Sequence, residues 1–392
     1  MASVRISKNP PKKGHLRLAI EFNDFIEHSA KLSHFVTFTL ASCSRRKIDK
    51  EKVLIMLKDI YFWFSVVNVC LMVSFCAVST IEQSFDLSAL TYLMTIVSST
   101  ANLVVKCLVA FLNKSKISAV LDQLKRIFPN KRHHKKYHIS TYLKSFTMFV
   151  KLYSFLMFTT CCCVISIPLI KLFRSGQRTL PLNIRVSFDG NHNGTYALIY
   201  LCATWACANS VIVVAAIDSL MFGMITLVSM EFNILKNRFE DLKHESKGNV
   251  ERQTRNLIQR HSELIECSKC LEKIFSPTFL FNFLQSSFVI CLTAFQYTTS
   301  SEPVDSIFNL SYCAAMLNQI WLLCFFGQKI IDSSTSIADG VYDSGWEKIE
   351  NAKVRKALNV IIQRAQKPTK LTAMSFMDVS LKSFRSVNIN FN

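Results

Sequence analysis

Six long uncharged stretches, separated by segments rich in charged side chains, dominate the pattern of hydrophobic and polar positions. A helix needs about 20 apolar residues to cross about 30 Å of hydrocarbon. The stretches have this length and lack the alternation of strands, so they predict spanning helices over 60–78, 87–105, 152–170, 195–217, 274–301 and 306–328. Residues 371–392 are only moderately apolar and carry three charged side chains, and we expect them to form a partial seventh helix.

The polar segments between these stretches are also patterned as helices. Apolar residues recur at helical spacing in the connection 231–273 and just beyond it, at Leu257, Leu264, Ile265, Leu271, Ile274 and Phe275. A similar stripe lies in 348–366, at Val354, Leu358, Ile361 and Ile362. The predicted fold is therefore an all-α polytopic membrane protein. It has an N-terminal segment 1–59, a bundle 60–328, an anchor segment 329–370 and the partial helix 371–392, and the helical extensions form an anchor bundle.

The distribution of the basic residues predicts the orientation of the chain. Of 46 Lys and Arg, 38 lie in segments 1–59, 107–150, 231–273 and 329–370, and four lie in 79–86, 171–194 and 302–305. Positive charge stays on the cytoplasmic side, so the N-terminus is expected in the cytoplasm. This orientation argues against a G-protein-coupled receptor. The net charge of +19 alternates with apolar stretches, and it therefore does not indicate nucleic-acid binding.

Other candidate chemistry is sparse. No nucleotide-binding, hydrolase or metalloprotease motif occurs, so we expect neither an enzyme nor a cofactor. Cys267 and Cys270 have zinc-like spacing but lack a second ligand pair, so no metal site is expected. The basic run 131–136 is interpreted as cytoplasmic charge, with contact to lipid headgroups as the second interpretation. Asn193 begins a glycosylation sequon in a connection assigned to the outside.

One acid interrupts the longest apolar run. Asp218 lies 23 residues after its start, and we interpret it as marking a helix that leaves the membrane rather than as a functional intramembrane acid. Lys106 is taken as the end of the second stretch. The absence of internal repeats, and of charges expected to pair within the spans, argues against a secondary transporter.

Several motifs, in this order and spacing, resemble the C-terminal signature of insect odorant receptors. They are YDSGW at 342–346, RKAL at 355–358, IIQRAQKP at 361–368, LTAM at 371–374 and VSLKSF at 379–384, with support from 261–266, 275–277 and Cys291. The resemblance implies a seven-helix, odorant-gated cation channel that assembles as a tetramer with a co-receptor. It assigns pore and assembly roles to Trp346, Pro368, Val379, Ser380, Leu381 and Phe384.

The resemblance also implies an odorant pocket in the outer half of the second, third, fourth and sixth spans. Topology then selects Tyr92, Tyr196, Tyr200, Phe308 and Tyr312, together with Cys162 and Ser166 on the third span. Tyrosines at this depth also serve as interfacial anchors, which is the alternative. The implied partners are small volatile odorants, the co-receptor and membrane lipid, not nucleic acid. The implied location is the plasma membrane of olfactory sensory neurons.

Two departures from the family pattern leave alternatives open. Glu347 follows Trp346 where the family has tyrosine, and only 14 residues run from Val379 to Asn392. As a helix these cover about 21 Å, too short to span. A truncated, non-conducting product whose tail stays in the cytoplasm is therefore one alternative. A gustatory-type channel is another, although its short signature in the last helix is missing.

Overall fold

The structure, a computed structural model, describes residues 63–64, 66–74, 77–78, 87–128, 137, 139–176, 179–181, 184–185, 193–299 and 303–389. The described parts of the first predicted span are helical. The segment 1–59 and the basic run 131–136 lie outside the described residues, so the predictions for them stay predictions.

From Leu87 onwards, the described residues form eight α-helices and two short hairpins in chain order. The helices are α1 Leu87–Leu112, α2 Lys114–Ile127, α3 Ile139–Ser175, α4 Asn193–Glu240, α5 Lys247–Thr299, α6 Pro303–Tyr342, α7 Ala352–Ala365 and α8 Leu381–Ile389. The antiparallel hairpins pair β1 Thr179–Leu180 with β2 Ile184–Arg185, and β3 Thr372–Ala373 with β4 Met377–Asp378.

Five of these helices, α1 and α3 to α6, are long and apolar enough to cross a membrane, counted over the described residues. They cover the second, third, fourth and sixth predicted spans and the described part of the fifth, and the fold class is confirmed as all-α and polytopic. α4 packs against each of the other four helices, and the side chains of 216–232 are almost all buried. The surface of α3 that faces away from the bundle exposes large apolar side chains such as Phe155 and Phe158, as expected for a helix that faces lipid.

The helices continue well beyond the predicted spans. α5 has 53 residues, or about 80 Å at 1.5 Å per residue, far more than the hydrocarbon thickness. All six apolar residues predicted as its stripe are buried, and so are Val354, Leu358 and Ile361 of α7. Arg260 on α5 donates to Glu231 on α4 at 2.7 Å and to the carbonyl of Ile127 at 2.6 Å. The predicted helical extensions are therefore present and packed together.

The C-terminal prediction was wrong in its boundary. Residues 371–380 are not helical: β3 and β4 form a hairpin there, and α8 begins at Leu381. The turn places Met374 and Ser375 at positive φ, 51° and 63°, and Phe376 N–H donates to the carbonyl of Ala373 at 3.0 Å. This is a type I′ arrangement, which the right-handed twist of a hairpin favours.

Contacts with α5 and α6 hold this hairpin and α8 in place. Ser276 Oγ donates to the carbonyl of Thr372 at 2.8 Å and accepts from the backbone N–H of Met374 at 2.6 Å. Gly327 on α6 lies directly beneath the buried Val379, and a Cβ at Gly327 would overlap the Val379 carbonyl oxygen. The close approach of α8 therefore requires glycine at this position.

The remaining residues of the C-terminal signature lie around the same region. Ser380 is buried with its hydroxyl beside that of Ser383, the backbone N–H of Leu381 donates to Gln328 at 3.3 Å, and Phe384 is half-buried. Trp346 begins a short 3-10 turn after α6, and Pro368 follows the end of α7. Trp346 and Pro368 therefore lie in the connections that follow α6 and α7.

Candidate functional site

A cavity of about 200 Å³ lies inside the bundle near the β1–β2 hairpin. Every long helix contributes to its wall, and so do the helical segment 66–74 and Leu180 of β1. Most of the lining side chains are apolar, for example Val69, Ile96 and Met157, and nearly all the others are uncharged and polar. A concave, mainly apolar site with a few polar groups is typical of small-molecule binding.

Three of the seven predicted ligand-binding residues line this cavity: Tyr92, Phe308 and Tyr312. The rings of Phe308 and Tyr312 stack with their centroids 5.9 Å apart. Asn309 Nδ2 donates to the hydroxyl of Tyr92 at 3.4 Å. The structure therefore brings α1 and α6 together at the predicted depth along both helices.

The structure does not place the two residues predicted on α3 in the cavity wall. Cys162 and Ser166 are exposed on the outer surface of the helix, whereas its cavity face carries Cys161 and Val164. In a helix, adjacent residues point about 100° apart, so a shift of one or two positions moves a side chain from the buried face to the exposed one. The apolar pattern of α3 continues around the whole helix and does not reveal its buried face.

Tyr196 and Tyr200 lie above the cavity wall rather than in it. Their rings are 6.0 Å apart, and the hydroxyl of Tyr200 donates to the carbonyl of Ile165 on α3. The cavity residues of α4 lie deeper, from Ala203 to Val214. Tyr200 therefore joins α3 to α4, and Tyr196 packs against it on the same helix. Asn193, the glycosylation candidate, is the first residue of α4.

α5 also contributes to the cavity wall, through Gln285, Thr293 and Gln296, and none of these three residues was predicted. The signal was present, because amide side chains within an otherwise apolar stretch need hydrogen-bond partners inside the bundle. Asn102 of α1 supplies one such partner: its Nδ2 donates to Gln285 Oε1 at 3.1 Å.

A buried ion pair lies beneath the cavity. Lys106 Nζ is 2.8 Å from Asp218 Oδ2, and the two side chains are 0% and 1% exposed. The same oxygen accepts from the hydroxyl of Tyr153 at 2.7 Å and from Nε2 of the cavity residue Gln319 at 3.2 Å. One carboxylate therefore connects α1, α3, α4 and α6.

This pair bears on two sequence-based interpretations. Asp218 was interpreted as marking a helix that leaves the membrane; α4 continues to Glu240, and the carboxylate is buried in the bundle rather than exposed. Lys106, taken as the end of the second uncharged stretch, lies within α1, which runs to Leu112. Both residues lie one position beyond the predicted spans 87–105 and 195–217, so the pair joins the ends of two uncharged stretches. The two residues are 112 positions apart, so the sequence pattern of neither helix reveals the contact.

The cysteines of the zinc-like spacing lie elsewhere, on α5. Burial raises the pKa of the Cys267 thiol to about 12. In the described part of the chain, no group of three or more His, Cys, Asp and Glu side chains is placed to hold a metal ion.

Comparison with known proteins shows what this arrangement belongs to. The chain is 25% identical to Odorant receptor 85b of Drosophila melanogaster over 85% of this chain and 88% of that one. It is 26% identical to Odorant receptor 85c of the same organism over the same shares. The structure of the insect olfactory receptor OR5 from Machilis hrabei in complex with eugenol superposes with a TM-score of 0.80 at 16% identity, covering 96% and 97% of the two chains.

The family comparison covers most of the chain. The profile of the 7tm Odorant receptor family matches residues 86–389, from the start of α1 to the end of α8. The cavity, the buried ion pair and the C-terminal hairpin all lie within that range. The chain therefore belongs to the insect odorant receptor family, a family of multi-pass membrane receptors and not of enzymes.

Proposed function

We propose that this chain is an odorant receptor subunit that binds a small volatile ligand in the cavity and thereby gates a cation channel. It acts as a heteromer with the family's co-receptor, in the plasma membrane of olfactory sensory neurons. The observation that carries the proposal is the mainly apolar cavity between α1, α3, α4, α5 and α6.

The size and lining of the cavity support a small, mostly apolar ligand. Its volume of about 200 Å³ exceeds that of an engineered apolar cavity of about 150 Å³ that binds benzene. The stacked rings of Phe308 and Tyr312 offer an aromatic surface with a polar tip. A related receptor is known in complex with eugenol.

The buried ion pair supports a route from ligand to helix movement. Gln319 lines the cavity and also donates to Asp218, so a ligand that displaces Gln319 acts on the carboxylate where four helices meet. A shift in the balance between two packed arrangements is the general way in which a ligand changes a channel. α6, which carries Gln319, also contacts α8, where the resemblance locates the pore and assembly residues.

The predicted orientation is part of the same proposal. The concentration of basic residues around α2, α5 and α7 supports a cytoplasmic location for the extensions, which leaves the cavity in the outer half. Epitope tags at the N-terminus and after β1 test this orientation. We expect antibody access without permeabilisation only at the second position, together with a glycan that the Asn193→Gln variant removes.

The function is tested by co-expressing the full chain with a co-receptor and recording odorant-evoked cation current. Cys161→Trp, which fills the cavity, is expected to abolish the response. Cys162→Trp on the exposed surface is the matched control and is expected to retain it. Surface biotinylation confirms equal expression. Silence of the unmodified chain across a broad odorant panel, despite surface expression, would contradict the proposal.

A further inference from the structure

Four polar side chains form a connected group on one side of the cavity, and all four line it: Thr95 and Ser99 of α1, Gln296 of α5 and Tyr312 of α6. Gln296 Nε2 lies 3.3 Å from Thr95 Oγ1, and Ser99 Oγ lies 2.7 Å from the hydroxyl oxygen of Tyr312. We refer to these four residues as the polar cluster.

The hydroxyl hydrogens of the polar cluster are already used. Thr95 donates to the carbonyl of Thr91 at 2.9 Å, and Ser99 donates to the carbonyl of Thr95 at 2.8 Å. A hydroxyl has one hydrogen, so both oxygens can only accept from their partners across the cluster. Tyr312 must therefore donate its hydrogen to Ser99, because Ser99 has none left to give.

The shortage of free hydroxyl hydrogens also determines the orientation of the Gln296 amide. If the amide were reversed, Oε1 would face Thr95 Oγ1, and neither atom would have a hydrogen to share. The nitrogen must therefore face Thr95, which leaves Oε1 without a hydrogen-bond partner among the described residues. Gln296 is only 2% exposed. A buried acceptor left unpaired is costly, and a ligand that supplies a hydrogen removes the cost.

A second amide in the cavity wall shows the same imbalance. Asn102 donates through Nδ2 to Gln285, and its buried Oδ1 has no hydrogen-bond partner in the part of the chain that the structure describes. Both unpaired atoms are oxygens that accept hydrogen bonds.

We propose that the cavity selects ligands that carry a hydrogen-bond donor, namely alcohols and phenols, over ketones, aldehydes and ethers of the same shape. This inference rests on the proposed function and names the chemical class of its ligand. The ligand hydroxyl donates to Gln296 Oε1, and its apolar body fills the remaining cavity. A carbonyl ligand has no hydrogen to donate, so Gln296 Oε1 and Asn102 Oδ1 would both stay without a partner beside it.

The test uses matched ligand pairs on the full chain co-expressed with a co-receptor: cyclohexanol and cyclohexanone, phenol and anisole, 1-hexanol and hexanal. One net hydrogen bond corresponds to a potency ratio of about three to ten. We therefore expect each active alcohol or phenol to be at least threefold more potent than its partner. Equal potency, or a preference for the carbonyl compounds, would overturn the inference and leave the receptor function intact.

A pair of variants shows whether Gln296 is responsible. Gln296→Met keeps the length of the side chain and replaces the amide oxygen with a thioether, a much weaker acceptor, so we expect it to bring the potency ratio close to one. Thr160→Val, on the α3 wall outside the polar cluster, is the control and is expected to preserve the ratio even if all potencies shift. A ratio that survives in Gln296→Met would overturn the assignment. Silence of the unmodified chain to every ligand would overturn the proposed function itself.

Discussion

Replacing Lys106 with methionine tests the packing beneath the cavity, because it leaves a carboxylate buried without its ammonium partner. Asp218 Oδ2 would keep only the two uncharged donors Tyr153 and Gln319, and its Oδ1 has no hydrogen-bond partner among the described residues. Removing one member of a buried ion pair costs about 3–5 kcal/mol. Removing one uncharged donor to a carboxylate, as in Tyr153→Phe, costs about 1.5–3 kcal/mol. Lys106→Met should therefore be the more destabilising change.

The assay is the thermal unfolding midpoint of the detergent-solubilised receptor, together with its surface level in cells. The double variant Lys106→Met with Asp218→Asn removes both charges and should recover most of the stability, since a buried pair adds little net stability over uncharged neighbours. Lys370→Met is the matched control. Its ion pair with Asp378 is about 40% exposed on both sides, so the loss should stay below about 1 kcal/mol.

If the double variant loses as much stability as its two single variants together, the two charges act independently, and the proposed pairing is refuted. It is equally refuted if Lys106→Met is no worse than Lys370→Met.

Three further predictions concern the C-terminal region and the extensions. Gly327→Ala should displace Val379 and α8 and lower the unfolding midpoint. Limited proteolysis should then release the C-terminal segment faster. Unchanged cleavage would contradict the close approach of Val379 to Gly327. Burial lowers the pKa of His261 from 6.5 to about 4, so its neutral form is favoured in the fold. The fold therefore keeps its full stability above pH 6.5 and loses about 3 kcal/mol of its unfolding free energy as pH falls towards 4. A His261→Gln variant that keeps the full acid dependence would exclude this residue as the cause. Arg260→Met leaves the buried Glu231 unpaired and should destabilise the extensions far more than Arg255→Met, whose ion pair is exposed, as thermal unfolding would show.

The long apolar helices and their polar extensions were predictable from the sequence because both follow from one-dimensional patterns. An apolar run as long as 274–301 is compatible with few structures other than a spanning helix, since a lipid-exposed backbone must satisfy its own hydrogen bonds. The stripe from Leu257 to Phe275 likewise indicated an amphipathic helix, and α5 buries that stripe.

The candidate site was only partly predictable. Tyr92, Phe308 and Tyr312 were predicted and do lie in the cavity wall. Their position along each helix could be predicted because it follows from counting residues. The rotation of α3 does not follow, because lipid and protein interior both accept apolar side chains, and Cys161 and Cys162 are equivalent in the sequence. The hairpin at 372–378 was missed for a related reason. Its turn has no glycine, and contacts from Ser276, about 100 residues earlier, hold it in place.

The composition of successive segments was enough to indicate a bundle of membrane-spanning helices, and the C-terminal motifs indicated the family. Which helix faces meet became clear only in the folded chain: Lys106 neutralises Asp218, Gln296 Oε1 has no hydrogen-bond partner among the described residues, and Gly327 admits Val379. Membrane insertion depends on the composition of each segment alone. Pairing between helices depends on contacts between residues far apart in the chain, which no single segment encodes.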